Sequence, residues 1–306
     1  MATVRAALPV IELANVTTLP DGRQVEWEAV GEGEPLLWIE GGPGLPAHLA
    51  RPDVSLLARM GFRAYLVNAP GCGRSSAPMN RDGYTLEAHV DYFEAARRAV
   101  IDEPVTIVGH SWGGLVAAAH AATYPDAVQR LIIIDGYAGG DSVDHAEADA
   151  ERQRAIERHR GRPWFADAVA GLERAFAMTR YTEPEFADAF WPVWPLYFAE
   201  PDAPQSADHI SRVRREVRWN VDVSIVWNER YEAADRRDLL ARVSAPTLVV
   251  VGEHDFICGP TWARALAASI PGATLVEMPG VGHVPPYEDE RGFVDVVSSW
   301  RARTGS

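Results

Sequence analysis

Val105-Thr106-Ile107-Val108 runs straight into Gly109-His110-Ser111-Trp112-Gly113, and an alanine-rich stretch of helical spacing follows. A serine flanked in this way, between an apolar strand and a helix, has the pattern of a nucleophile elbow. The turn must be so tight that the serine backbone is strained. Side chains at Gly109 or Gly113 would collide with neighbouring backbone. The turn lifts the Ser111 hydroxyl to the top of a sheet, above a helix N-terminus that favours negative charge. A hydroxyl is a poor nucleophile without a base, so Ser111 calls for a histidine and an acid.

The expected chain order is serine, then acid, then histidine. His283 is the candidate base. It lies in Pro279-Gly280-Val281-Gly282-His283-Val284-Pro285, a Gly/Pro-rich loop after a strand, suited to pushing an imidazole over a nucleophile. His145, His159 and His209 fall in charged stretches and read as surface residues, while His110 and His120 read as structural. His254 only adjoins the acid candidate. The acid is expected after the apolar run 247–251, where Gly252-Glu253-His254-Asp255 makes Asp255 the choice. Asp135, just after the run 131–134, is the runner-up. The acid holds the imidazole tautomer and stabilises the imidazolium. Two backbone N–H groups must then receive the oxyanion. One is Trp112, next after the nucleophile. The other is expected from Glu40-Gly41-Gly42-Pro43-Gly44, at Gly42, where glycines let backbone approach a substrate closely.

These residues need a frame. Short apolar runs recur at 36–39, 63–67, 105–108, 130–134, 247–251 and 274–277. Such runs suit strands buried on both faces of a parallel sheet. Helical spacing fills 86–100, 113–123, 261–270 and 291–303. Pro20-Asp21-Gly22 before the alternating segment 25–30 reads as an antiparallel hairpin. Strand–helix alternation predicts a doubly wound, mostly parallel α/β sheet. It breaks between about 136 and 240, a charged, helix-prone interval holding five of the ten tryptophans, with 221–227 ambiguous between strand and helix. The expected division is a core of 1–135 and 241–306 with 136–240 inserted as a helical cap. A cap there would sit over the sheet's C-terminal edge, where open α/β sheets bind ligands. Trp191 and Trp194 are candidate substrate contacts, against the alternative that the tryptophans only pack the cap.

Composition narrows the partners. The 306 residues suit one large domain carrying an insertion. A net charge of -14, with arginine as the sole strong base, argues against nucleic acid and anionic membranes. No apolar run is long enough to span a bilayer, and residues 1–16 make a poor signal peptide. Cys72 and Cys258 read as free thiols in a reducing compartment, so a cytoplasmic location is expected. The cysteines lack metal-ligand spacing, and no metal site is expected.

Together the motifs resemble the proline iminopeptidase branch of the α/β-hydrolases, the serine peptidase S33 type. Gly41-Gly42-Pro43-Gly44 is similar to its H-G-G-P-G, Gly109 to Gly114 to its G-x-S-W-G-G, and Gly71-Cys72-Gly73-Arg74-Ser75 to its G-x-G-R-S. Gly252 to Asp255 and Gly282-His283 correspond to its acid and base loops. The resemblance implies an α/β-hydrolase fold with a helical cap, no cofactor, and a small-molecule or short peptide substrate cleaved at an amide beside an N-terminal residue, often proline. It also implies cap glutamates that hold the free amine. Glu229 resembles one such position, with a solvated charge as the alternative; Glu200 or Glu216 would be the second. Two departures stand out. Glu40 replaces the family histidine, and Asn68-Ala69-Pro70-Gly71 replaces D-Q-R-G. A carboxylate at 40 pointing inward would oppose an oxyanion; it has the alternatives of facing its own loop or binding a cation.

Three functions compete: an amide hydrolase for amine-bearing substrates, an ester, lactone or thioester hydrolase with the same triad, and an inert relative that binds or senses a ligand. The retained Ser111, Asp255 and His283 speak against the last. Epoxide hydrolase and dehalogenase chemistry would need a carboxylate where Ser111 stands.

Overall fold

The computed structural model describes residues 11–137, 145–230 and 236–305. Eight strands form one sheet: β1 Ile11–Thr18, β2 Gln24–Val30, β3 Glu34–Ile39, β4 Phe62–Val67, β5 Val105–His110, β6 Val128–Ile134, β7 Thr247–Gly252 and β8 Thr274–Met278. Their spatial order is β1-β2-β4-β3-β5-β6-β7-β8. β2 runs antiparallel to both β1 and β4, and every later pairing is parallel. The expected short apolar strands are all present, each extended by up to two residues at an end. The expected hairpin about Pro20-Asp21-Gly22 is the antiparallel pair β1–β2, whereas the helix α1 (Arg51–Arg59) was not among the expected elements.

The strands read as continuous apolar runs because both faces are covered. Leu37 and Ile39 of β3 and Val105 and Ile107 of β5 pack with α2 (Leu86–Val100) and α3 (Trp112–Thr123) on one side. Leu36, Trp38 and Val108 point the other way, to a core built with α1 and, from the chain's end, α12 (Glu290–Thr304). Each such leucine, isoleucine or valine contributes roughly 1.5–3 kcal/mol by leaving water.

Between β6 and β7 every element among the described residues is helical. They are α4 (His145–Glu157), α5 (Phe165–Ala177), α6 (Glu183–Phe190), a 3-10 turn over Trp191–Tyr197, α7 (Pro204–Glu216), α8 (Val221–Arg230) and α9 (Arg237–Leu240). The ambiguous stretch 221–227 is therefore helix, and residues 223–227 are buried one after another rather than alternating, shared between two clusters of the core. α10 (Pro260–Ser269) and α11 (Pro285–Glu288) complete the fold. Among the described residues no helix is long and apolar enough to cross a membrane.

The register aligns the strand ends. Ile39 pairs with Gly109, His110 with Ile134, Ile134 with Val250, and Gly252 with Met278. The loops after β3, β5, β6 and β7 thus leave one edge of the sheet side by side. The chain turns outward from β3 to β4 and then returns past β3 to β5. That reversal is the switch point where such sheets open a crevice.

Candidate active site

Ser111 sits at the reversal, with φ 53° and ψ −125°. That is a strained conformation for a residue with a side chain. The two glycines explain how it is held. A Cβ on Gly109 would lie 2.3 Å from the Gly113 carbonyl oxygen, and one on Gly113 would lie 2.2 Å from the Ile39 oxygen. Strand β5, helix α3 and the end of β3 therefore meet at backbone contact. The Ser111 N–H is tied to the Ile134 carbonyl at 2.8 Å.

Asp255 and His283 meet in the buried interior. Asp255 Oδ2 accepts from His283 Nδ1 at 2.8 Å, while its Oδ1 accepts from the N–H groups of Ile257 and Cys258 at 2.8 and 3.2 Å. A carboxylate only accepts, so the imidazole proton is on Nδ1 and Nε2 is left as a base. Burial lowers the His283 pKa, and the Asp255 charge opposes this only in part. The imidazole is neutral near pH 7, as a general base must be.

The loop around His283 is held from three sides. Its own N–H bonds the Tyr197 carbonyl at 2.7 Å, and the His110 Nε2–H donates to its carbonyl at 2.9 Å. Glu288 accepts from Gly282 N and Val284 N, on either side of the base, and from Ala199 N at 2.6 Å. Burial pushes the Glu288 carboxyl up to about 7 against those donors. Glu288 escaped the sequence reading; its signal was a carboxylate five residues past the histidine on a Pro-Pro turn.

Asp135, the runner-up acid, also ends on this spot. It is fully buried with φ 48°, and its Oδ1 accepts from Gly252 N at 2.9 Å while Oδ2 has no hydrogen-bond partner among the described residues. Burial, then the Asp255 charge, raises its pKa well above the carboxylate range. Two neighbouring buried carboxyls cannot both ionise, so Asp135 is the protonated one.

The Cys258 thiol is close enough to sense the Ser111 hydroxyl. Among the described residues no hydrogen bond joins that hydroxyl to His283. Rotation about χ1 re-aims it, and such contacts often tighten only with substrate bound. Asp255, Cys258 and His283 bring ligand atoms within 4.8 Å of one another, close enough for a metal ion, as do His110, Asp135 and His283. Burial holds the Cys258 thiol well above its usual pKa, which disfavours the thiolate a metal would need. The protonated Asp135 likewise opposes the second set.

Trp112 opens α3, so its N–H has no carbonyl one turn earlier within the helix. Gly42 lines the cavity with φ 99°, a conformation glycine adopts freely. The N–H of Gly41 is already spent on Glu40 Oε1 at 2.9 Å. Glu40 itself folds back over its loop: Oε2 accepts from Trp38 Nε1 at 3.0 Å, and Oε1 lies 3.6 Å from His110 Nδ1. Burial opposes a charge on His110, but the Glu40 carboxylate outweighs it and raises that pKa.

Above Ser111 lies a cavity of about 270 Å³, walled mainly by aromatic and aliphatic side chains from the helices between β6 and β7. Trp194 lines it; Trp191 does not, and packs instead on Trp194, Trp219 and Arg214. Glu229, Glu200 and Glu216 are exposed, and none of the three lines the cavity. His209 and His159 are buried rather than on the surface, and His209 lines the cavity. Charged neighbours in sequence hid them; in α7, Arg214 and Arg215 are exposed while His209 turns inward.

A family model described as alpha/beta hydrolase fold matches residues 34–290. A proline iminopeptidase of Saccharolobus solfataricus is 24% identical over 277 residues, covering 88% of this chain and 85% of that protein. Lipase 1 of Psychrobacter immobilis is 26% identical over 277 residues, covering 89% and 78%. The crystal structure of a Mycobacterium smegmatis proline iminopeptidase superposes with a TM-score of 0.70 at 23% identity, covering 95% of this chain and 98% of that one.

Proposed function

This chain belongs to the alpha/beta hydrolase fold family and is a hydrolase, and from that premise we propose that Ser111, His283 and Asp255 cleave an acyl bond through an acyl-enzyme. The carrying observation is the buried Asp255–His283 hydrogen bond of 2.8 Å beside a strained serine at a helix N-terminus. His283 Nε2 takes the Ser111 proton as Oγ attacks the substrate carbonyl. The N–H groups of Trp112 and Gly42 receive the oxyanion. The proton then goes to the leaving amine or alcohol, which departs as the C–N or C–O bond breaks. Water, deprotonated by the same imidazole, attacks the acyl-serine and returns the hydroxyl.

The finer reading is an amidase that removes or releases a residue bearing a free amine. Likeness to proline iminopeptidases supports it. An esterase or lactonase is the second reading, favoured by the largely apolar cavity and the lipase among the relatives. Neither reading uses Glu229, which lies off the cavity.

A fluorophosphonate probe tests the shared chemistry: wild type should label and Ser111→Ala should not. Absence of labelling in the folded wild type would favour a binding protein. Turnover of alanine and proline arylamides that acetylation abolishes would support the amidase. Turnover of a short aryl ester alone, lost in Ser111→Ala, would move the chain to the esterase reading.

A further inference from the structure

The cavity over Ser111 is mostly apolar, and among the described residues the carboxyl groups that line it are those of Glu40 and Asp53. Both belong to the sheet domain. Their states differ. Glu40 is already satisfied by Gly41 N, Trp38 Nε1 and the nearby His110 ring. Asp53, on α1, is 8% exposed, and its Oδ1 has no hydrogen-bond partner among the described residues. Among the described residues it forms no ion pair. A buried carboxyl left without partners costs stability, and a carboxyl that lines a ligand-sized cavity has its missing partner supplied by what enters.

A second, independent group converges there. His209, on α7, lines the cavity, is 7% exposed and has an Nδ1 with no partner among the described residues. Burial lowers its pKa to about 3, so the ring is neutral and can accept. The His209 ring packs on Tyr287 of α11 with centroids 4.6 Å apart, and Asp53 and His209 both sense Arg212 and His110. A carboxylate and a neutral imidazole offer acceptors to a group rich in N–H. A hydroxyl offers a single donor and no positive charge, and an ether oxygen only accepts, where acceptors already stand.

We propose that Asp53, with the ring of His209, anchors a protonated primary or secondary amine of the ligand at the core end of the cavity. The proposal rests on the cavity being the substrate site and gives the amine a different seat from the cap glutamates that sequence similarity suggests. It excludes Glu229 as the anchor.

The charge on Asp53 is set by its surroundings. Burial, then the Glu40 carboxylate, raises its pKa to about 7, while His110 and Arg212 pull the other way. Tyr287, on α11, also faces it and is neutral near pH 7, its own pKa being raised. Asp53 is therefore mostly ionised at pH 8 and mostly protonated at pH 6. An entering ammonium favours the ionised form and drives a proton off near pH 7.

The test is direct binding, which needs no turnover. Benzylamine and benzyl alcohol are titrated calorimetrically into the full chain, wild type and Asp53→Asn, at pH 6 and pH 8. The amine should bind at least tenfold tighter than the alcohol at pH 8, with the preference shrinking at pH 6. At pH 7, titrations in two buffers of different ionisation enthalpy should show proton release with the amine alone. Asp53→Asn, isosteric and checked for an unchanged melting profile, should lose both the preference and the proton release. Equal affinity for amine and alcohol in wild type, or a preference that survives Asp53→Asn, would overturn the proposal. Fluorophosphonate labelling of wild-type Ser111, run alongside, separates the two readings. Labelling without amine preference sinks the anchor alone. Amine preference without labelling sinks the hydrolytic reading and leaves the anchor standing.

Discussion

Asp255→Asn is the most informative single change, because the backbone around it dictates how the new amide must sit. The N–H groups of Ile257 and Cys258 point at one oxygen from 2.8 and 3.2 Å. An asparagine turned to face them with its NH₂ would leave two buried donors unpaired, at about 1–3 kcal/mol each. Its oxygen therefore stays there and its NH₂ faces His283 Nδ1. Two donors cannot share that 2.8 Å contact, so Nδ1 must become the acceptor and the proton must move to Nε2. The ring then offers Ser111 a donor where a base is needed. Triad aspartates changed in this way cost about 10⁴ in kcat, roughly 5 kcal/mol of barrier. Ester kcat/KM and the rate of fluorophosphonate labelling should both fall by about that factor, with the melting temperature as the check on folding. Asp135 supplies a control. Its ligand oxygen lies within 4.8 Å of a His283 ring nitrogen, and losing the Asp255 charge frees it to ionise and take over. If it does, Asp135→Asn combined with Asp255→Asn will fall well below Asp255→Asn alone. A single-variant loss under tenfold that the double variant does not deepen would refute the reasoning.

Other outcomes follow from the same geometry. The His283 pKa is lowered, so activity should fall only as pH drops below 6.5, where the base gains its proton; an acid limb centred above 6.5 would contradict this. Glu288 is raised from 4.5 to about 7, so the folded state holds its proton more tightly, and that stabilisation is present below 4.5 and lost as pH rises through about 7. Glu288→Gln, which cannot ionise, should gain on wild type in melting temperature over that window, while kcat falls about tenfold from the loosened His283 loop; a pH-independent difference would argue against it. Gly113→Ala sets a Cβ 2.2 Å from the Ile39 oxygen and 2.7 Å from that of Glu40, so the donors around Ser111 must shift and labelling should slow at least ~100-fold. Labelling at the wild-type rate would show that the loop can yield.

The sequence alone determined what local physics dictates. An elbow needs glycine on both sides of its serine whatever surrounds it, so Ser111 was legible from five residues. The buried strands were legible because a sheet covered on both faces leaves no room for polar alternation, and that same pattern ordered the acid and base loops. Which carboxylate serves His283 was another matter. Asp135 and Asp255 lie 120 positions apart and end at the same place, and the bonds to Ile257 and Cys258 against the bond to Gly252 separate them. The cavity's chemistry was also decided in three dimensions. Asp53 and His209 sit among charged residues in the chain, and a helix's inward face is set by what it packs on. Glu229 looked suited to an amine by its position in sequence, yet it points to solvent. Burial and partnership are properties of neighbours distant in the chain, so only the folded molecule can assign them.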